Sequence, residues 1–286
     1  MDTRGAEDQA AFGRRLHARQ LGGRGAAASV RRGVWSNAAF LSDFRTHAVL
    51  DGHDGCVNCL SWSADGRALL SGSDDRTVRI WHAEHGMPRR GATLRSATIT
   101  TEHRMNIFVA KFVPGSSKRR VASACGLGAV WINDVENDES QGSLAFQEPG
   151  REMILSLAFA RFAPSMMFIA RTGARGALSM CDLRSPGLDV SDALAPSATH
   201  VPLSSIAFHP RREYEFALAS EGDTVLMYDA RKLDGRRTDP IRAFSARRDA
   251  PSVAHRPSGV SCVTFSQNAD SQRVELLANY RGAPLC

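Results

Sequence analysis

DGHDGCVNCLSWSADGRALLSGSDDRTVRIWH, residues 51–82, is the stretch that decides the fold. It opens on the pair Gly52-His53. An alternating run follows, with Leu60 and Trp62 on one face. A turn at Asp65-Gly66 leads to a second apolar run through Leu69 and Leu70. A tight turn at Ser73-Asp74-Asp75 leads to a third run, residues 77–81, rich in β-branched and aromatic side chains. Residues two apart in a strand face the same way, and Asp, Gly and Ser supply turn conformations. The stretch is therefore expected to form a meander of short antiparallel strands.

The rest of the chain repeats it. In the second repeat Glu102-His103 stands where Gly52-His53 stood. Three β runs follow: residues 107–112, 121–124 and 130–134. Leu127 falls at the turn position of Asp75. The third repeat runs from about Met153, through Met167-Phe168-Ile169-Ala170 and residues 177–181, and closes on Asp182. The fourth opens near His200 and closes on Asp229, with Asp223 read as its turn acid and Arg175 as the non-acidic turn residue of the third. The closing positions 82, 134, 182 and 229 are spaced by 52, 48 and 47 residues. A near-constant period of this size, one meander each, is the rhythm of a β-propeller, and a Gly-His opening with a Trp close is the WD-repeat form of a blade. A fifth repeat begins at Gly259, and residues 274–280 form its second strand. The expected fold is all-β: an incomplete WD40 β-propeller of about four and a half blades over residues 46–286, truncated in the fifth blade. An unpaired edge is expected at each end. Residues 47–50 are expected to form a short strand, and residues 234–257 a long polar loop.

Residues 1–45 read as a basic leader. Residues 7–20 are a helix candidate, with Phe12 and Leu16 one turn apart. They form either a solvated tail or a helix that docks on a partner. The 286 residues are 43% hydrophobic, enough to bury a sizeable core. No apolar run reaches the roughly 18 residues of a membrane span, and no secretory signal pattern is present. Six scattered cysteines in apolar contexts suggest reduced thiols, and hence a cytoplasmic or nuclear setting. The formal charge is +6, carried almost wholly by Arg. Direct nucleic-acid binding is not expected, because aromatics do not interleave with the Arg clusters.

His53, Ser71 and Asp75 contain the elements of a hydrolytic triad. With Trp81 they read instead as a buried hydrogen-bond chain: Asp orients His, His bonds Ser, and Ser meets the indole N–H. Cys56 and Cys59 lie three apart in a strand and face opposite ways, so they make no metal or redox pair. His82 and His85 lack further ligands, and the glycines of Gly126-x-Gly128 and Gly173-x-x-Gly176 sit in β turns rather than at helix starts. No enzyme, metal or cofactor is read from these residues.

Asp182-Leu183-Arg184 and Asp229-Ala230-Arg231 are more informative. The same D-x-R box closes two consecutive repeats, which places two Arg side chains on one face, a blade apart. Each Asp completes a strand end. Each Arg is either a solvated loop charge or half of a rim that recognises carboxylates and carbonyls.

Several strings point further. HDGCVNCLSWS at 53–63, LLSGSDDRTVRI at 69–80, HRMNIFVAKFVP at 103–114, VLMYDARKLDG at 225–235 and VELLANY at 274–280 resemble the WD-repeat substrate receptors of the cullin-4 RING ubiquitin ligases. The likeness is greatest to the associated factors numbered six and eight and to the WD-and-tetratricopeptide-repeat protein, and covers roughly residues 45–282. Cys181 and Tyr228 stand where that family has Trp, and family members continue through more blades. The resemblance implies a non-enzymatic receptor. It would dock on the adaptor damaged-DNA-binding protein 1, and through it on cullin-4, by Asp182, Arg184, Asp229 and Arg231. Its other face would hold a protein substrate for ubiquitination. It also implies that the helix candidate docks on the adaptor. The alternative is a general WD-repeat interaction scaffold with no ligase link.

Overall fold

The computed structural model describes residues 46, 48–83, 95–136, 142–147, 150–172, 178–185, 190–194, 202–233, 238–245, 259–266 and 274–281. The chain divides into two compact units. Of the first (Met1–Val49, Arg89–Ala92 and Ala269–Gln272), only Thr46, Ala48 and Val49 are described. The second (Leu50–Pro88, Thr93–Asn268 and Arg273–Cys286) holds all the described strands. The helix candidate at 7–20 and residues Arg175, Gly173, Gly176, His85 and His200 lie outside the described residues.

Four antiparallel sheets of four strands succeed one another, followed by one of two strands. Blade one is β1 (Val57–Trp62), β2 (Ala68–Ser73), β3 (Thr77–His82) and β4 (Ser96–Thr100). Blade two is β5 (Ile107–Phe112), β6 (Arg120–Cys125), β7 (Ala129–Asp134) and β8 (Ser143–Gln147). Blade three is β9 (Ile154–Phe159), β10 (Met166–Arg171), β11 (Leu178–Asp182) and β12 (Val190–Leu194). Blade four is β13 (Leu203–Phe208), β14 (Glu215–Ser220), β15 (Thr224–Asp229) and β16 (Arg242–Ser245). The last sheet pairs β17 (Val260–Phe265) with β18 (Leu276–Tyr280). This is the all-β, WD40 propeller-like fold, and the described sheets do not close a ring.

The first strand of each sheet packs on the first strand of the next: β1 on β5, β5 on β9, β9 on β13 and β13 on β17. Alternation supplies the two faces of each blade. In blade one Leu70, Val78, Ile80 and Ile99 point towards blade two and meet Ile107, Ala110 and Val121. Gly72 permits this approach, since a Cβ there would lie 2.8 Å from both Ile107 Cγ2 and Cys59 Sγ. Similar cores join blade two to three, three to four and four to the last hairpin. On the opposite face of β1, Leu60 and Trp62 are 66% and 54% exposed, because no described residues cover them.

Four features differ from the sequence reading. Each of the four complete blades has an outer fourth strand, where three were expected. Arg242–Ser245 forms β16 inside the segment expected to be a loop, because the edge of β15 offers its backbone a ladder. Residues 48–50 form no strand; nothing described pairs with them. Asp223 is exposed and accepts from the Thr224 hydroxyl at 3.1 Å. Counting back from the start of β15, Gly222 occupies the place of Asp75, so blade four also lacks the turn acid.

Candidate functional site: paired Asp–Arg clamps at the ends of blades three and four

β11 ends on Asp182 and β15 on Asp229. The chain leaves each strand through a tight turn in which the carboxylate accepts the backbone N–H two residues on. Arg184 N donates to Asp182 Oδ1 at 3.0 Å, and Arg231 N to Asp229 Oδ1 at 3.0 Å. This Asx geometry is what Asp favours at a strand or helix end. It brings the Arg side chain back over the same carboxylate. Arg184 then donates Nε to Oδ1 at 3.1 Å and Nη2 to Oδ2 at 2.7 Å. Arg231 does the same at 3.0 and 2.7 Å. Two boxes in different blades thus share one side-on, bidentate clamp, the strong form of an Arg–carboxylate pair.

The clamp is asymmetric in exposure. The Asp side chains are 18% and 8% exposed, while the Arg side chains are 74% and 64% exposed. Each Asp anchors an Arg whose outer edge faces solvent. The side-chain hydrogen bond from Arg184 and the one from its backbone pull the Asp182 carboxyl down to about 2. Asp229 is likewise lowered, first by the Arg231 side chain. Both clamps are therefore ionised near neutrality. A guanidinium carries five N–H donors, and two of each serve the Asp. No described residue accepts from either Nη1.

Blade two has the turn without the clamp. Asp134 Oδ1 accepts from Glu136 N at 2.9 Å, but position 136 is an acid, and it pairs with Arg119 at 2.8 Å. Blade one has His82 at the strand end. The two boxes singled out in the sequence are the two that form clamps.

The structure also assembles His53, Ser71, Asp75 and Trp81. The indole Nε1–H of Trp81 donates to Ser71 Oγ at 2.9 Å, Ser71 lies 2.7 Å from His53 Nε2, and His53 Nδ1 lies 2.8 Å from Asp75 Oδ2. Asp75 also accepts from the Thr77 hydroxyl and from the backbone N–H groups of Thr77 and Asp54. Burial raises its carboxyl, but hydrogen bonds from Thr77, His53 and Asp54 outweigh that and leave it well below the usual carboxylate range. Ser71 is 2% exposed and Trp81 3%. The hydroxyl is thus enclosed between the indole and the imidazole, where it satisfies buried polar groups.

Blade two keeps half of this chain. His103 Nε2 lies 2.9 Å from Ser123 Oγ, but Leu127 offers no acceptor, and His103 Nδ1 is buried without a partner among the described residues. Among the thiols, burial pushes Cys59 and Cys181 up to about 11, so both stay protonated. No group of three His, Cys, Asp or Glu that could hold a metal ion occurs among the described residues.

Two aromatic residues at the site had no signal in the sequence. The guanidinium carbon of Arg231 lies 4.7 Å from the ring centroid of Tyr214, and Tyr214 stacks on Phe162 at 4.9 Å. Their positions in the chain, in two different loops, give no hint that they meet.

The described four-stranded antiparallel sheets, each packed on the next, make the fold WD40 propeller-like. Residues 44–82 match the family model described as "WD domain, G-beta repeat". The chain is similar to "WD repeat protein iqw1" of Schizosaccharomyces pombe, 29% identical over 71% of this chain and 26% of that protein. It is similar to "DDB1- and CUL4-associated factor 6" of Homo sapiens, 37% identical over 35% of this chain and 11% of that protein. It is similar to "WD and tetratricopeptide repeats protein 1" of Mus musculus, 26% identical over 82% of this chain and 33% of that protein. The chain thus spans a third or less of the length of these curated relatives. Among solved structures, the β-propeller domain of Myceliophteria thermophila Cps50 (Swd1) superposes with a TM-score of 0.57 at 14% identity, covering 80% of this chain and 64% of that one, a likeness of fold alone.

Proposed function

We propose that this chain is part of a substrate receptor of a cullin-4 RING ubiquitin ligase. In this reading Asp182, Arg184, Asp229 and Arg231 contact the adaptor damaged-DNA-binding protein 1, and another surface holds a protein target. The receptor works by bivalent positioning, which raises the effective concentration of target at the ligase. A cytoplasmic or nuclear setting goes with that role. The observation that carries the proposal is the recurrence of one clamp geometry in two adjacent blades, with free donors facing solvent. The similarity to DDB1- and CUL4-associated factor 6, by its name a partner of that adaptor and cullin, supports it.

The test is co-purification of the adaptor with wild type and with Arg184→Ala plus Arg231→Ala. Both Arg side chains are largely exposed, so the double variant is expected to fold and to lose the adaptor. Undiminished co-purification would sink the assignment and leave a WD-repeat scaffold without a ligase link.

A further inference from the structure

The two clamps differ in what lies beneath them. Arg231 rests on the Tyr214 ring. That ring is stacked on Phe162 at an interplanar angle of 22°. Phe162 meets Phe208 edge-on at 6.4 Å, and Phe208 stands 5.1 Å from Phe168, which is fully buried. An aromatic column thus runs from the core between blades three and four out to the guanidinium of Arg231. Phe162 lies in the loop between β9 and β10, and Tyr214 in the loop between β13 and β14, so a blade-three ring backs the blade-four ring on which Arg231 rests. The residue just before β10, in the place of Tyr214, is Ser165, whose side chain bonds Asp182 and offers no ring to Arg184.

Basic residues crowd the same loops. With burial the leading cause, Arg212, Arg211 and Arg161 also hold the His209 imidazole below its ordinary value, against the opposing charge of Glu215. Glu215 is engaged by Arg212 at 3.0 Å, and Asp182 and Asp229 are engaged by their own Arg. Arg161, Arg184, Arg231 and Lys232 are all exposed, against one exposed acid, Glu213, beside Tyr214. The acids of the clamps are turned inward and the cations outward.

We propose that Tyr214 is a positioning residue that makes the blade-four box the anchor of the partner surface, and that the partner segment received there is acidic. This rests on the adaptor reading above and names what that reading leaves open. A guanidinium already pinned along one edge by Asp229 and across its face by Tyr214 can turn little. Its remaining N–H donors are held in one direction, so a carboxylate binds without first ordering a flexible side chain. Arg184, held along one edge alone, contributes less.

The experiment measures the affinity of the purified chain for purified damaged-DNA-binding protein 1. Tyr214→Ala is expected to weaken binding about three- to tenfold, the scale of a partly exposed cation–π contact and the order it imposes. Tyr214→Phe keeps the ring and is expected to bind as wild type, which separates a positioning role from a hydroxyl contact. In Tyr214→Ala plus Arg231→Ala the losses should not multiply, because both act through one side chain. Arg231→Ala should lose more than Arg184→Ala, and affinity should fall steadily with added salt. Thermal unfolding of each variant identifies any that fails to fold; should Tyr214→Ala be one, Tyr214→Leu, which keeps apolar bulk without an aromatic face, takes its place with the same expected loss. If Arg231→Ala weakens binding while Tyr214→Ala does not, or if their losses multiply, the positioning role is overturned and the adaptor reading stands. Affinity independent of salt overturns the acidic partner. If Arg231→Ala binds as wild type, this inference fails, and the adaptor reading fails with it only if Arg184→Ala plus Arg231→Ala also binds as wild type.

Discussion

His53 and His103 occupy the same place in successive blades and differ by one contact. Asp75 receives the Nδ1 of His53. Leu127 stands in that acid's place, and His103 Nδ1 has no partner among the described residues. Burial, against a bond to Ser123 and the charge of Glu102, pushes the His103 imidazole down to about 4. In the unfolded chain it titrates near 6.5. Between those values the unfolded state binds the extra proton and the folded state does not. Stability is therefore full above about pH 6.5 and falls as pH drops towards 4, by on the order of 3 kcal/mol. Leu127→Asp is expected to restore the acceptor, raise the imidazole and flatten that slope. Urea unfolding at several pH values between 7.5 and 4.5, wild type against variant, checks it. Parallel pH profiles in the two proteins would exclude His103 as the source. This difference is legible in the sequence, because Asp75 and Leu127 each stand two residues before the third strand of their repeat. The misplacement of Asp223 by one residue shows how narrow that margin is.

At the scale of the element, one irregularity recurs in every sheet. The pairing of the first strand skips its second residue: Asn58, Phe108, Leu155, Ser204 and Ser261 are each bulged out. A bulge turns the strand and frees a side chain. Two of these side chains tie a blade to the next. Asn58 Nδ2 donates to Ile107 O at 3.1 Å, and the Ser204 hydroxyl donates to Val260 O. Ile107 and Val260 are the first residues of β5 and β17, so the two bonds are equivalent by register. Asn58→Ala and Ser204→Ala are each expected to cost about 1–2 kcal/mol, since each leaves an inter-blade carbonyl without its partner. Chemical denaturation measures it, and unchanged midpoints would show that the bonds contribute nothing. The bulges could not be read from the residues: Asn, Phe, Leu, Ser and Ser share no side-chain property. The outer strands were missed for a related reason. Ser96–Thr100 alternates properly, but Arg242–Ser245 is exposed throughout and is a strand because β15 is beside it.

At the scale of the molecule, the fold is held by cores between blades. Phe168 sits in the core between blades three and four, against Phe208 and Phe216. It is also the inner end of the aromatic column under Arg231. Phe168→Ala is expected to cost about 3–5 kcal/mol, a large share of the roughly 5–15 kcal/mol that stabilises a folded domain. It is also expected to weaken adaptor binding more than its distance from the rim suggests. Thermal unfolding and adaptor affinity, measured at a temperature where the variant remains folded, check both halves. Wild-type stability in this variant would mean that the two blades do not depend on that core.

The residue pattern by itself determined the all-β class, the four successive meanders, the hydrogen-bond chain of His53, Ser71, Asp75 and Trp81, and the two D-x-R boxes. All of these are local: alternation, turn chemistry and offsets within about thirty residues carry them. Tertiary structure decided what depends on neighbours. It made a strand of Arg242–Ser245, an exposed edge segment with no strand pattern, and set the same bulge into five dissimilar strands. It turned two D-x-R boxes into matched clamps, and brought Phe162 and Tyr214 together under one of them. The physical reason is that a strand, a bulge or a stacked ring is completed by groups distant in the chain, and its stability belongs to the pairing rather than to either residue.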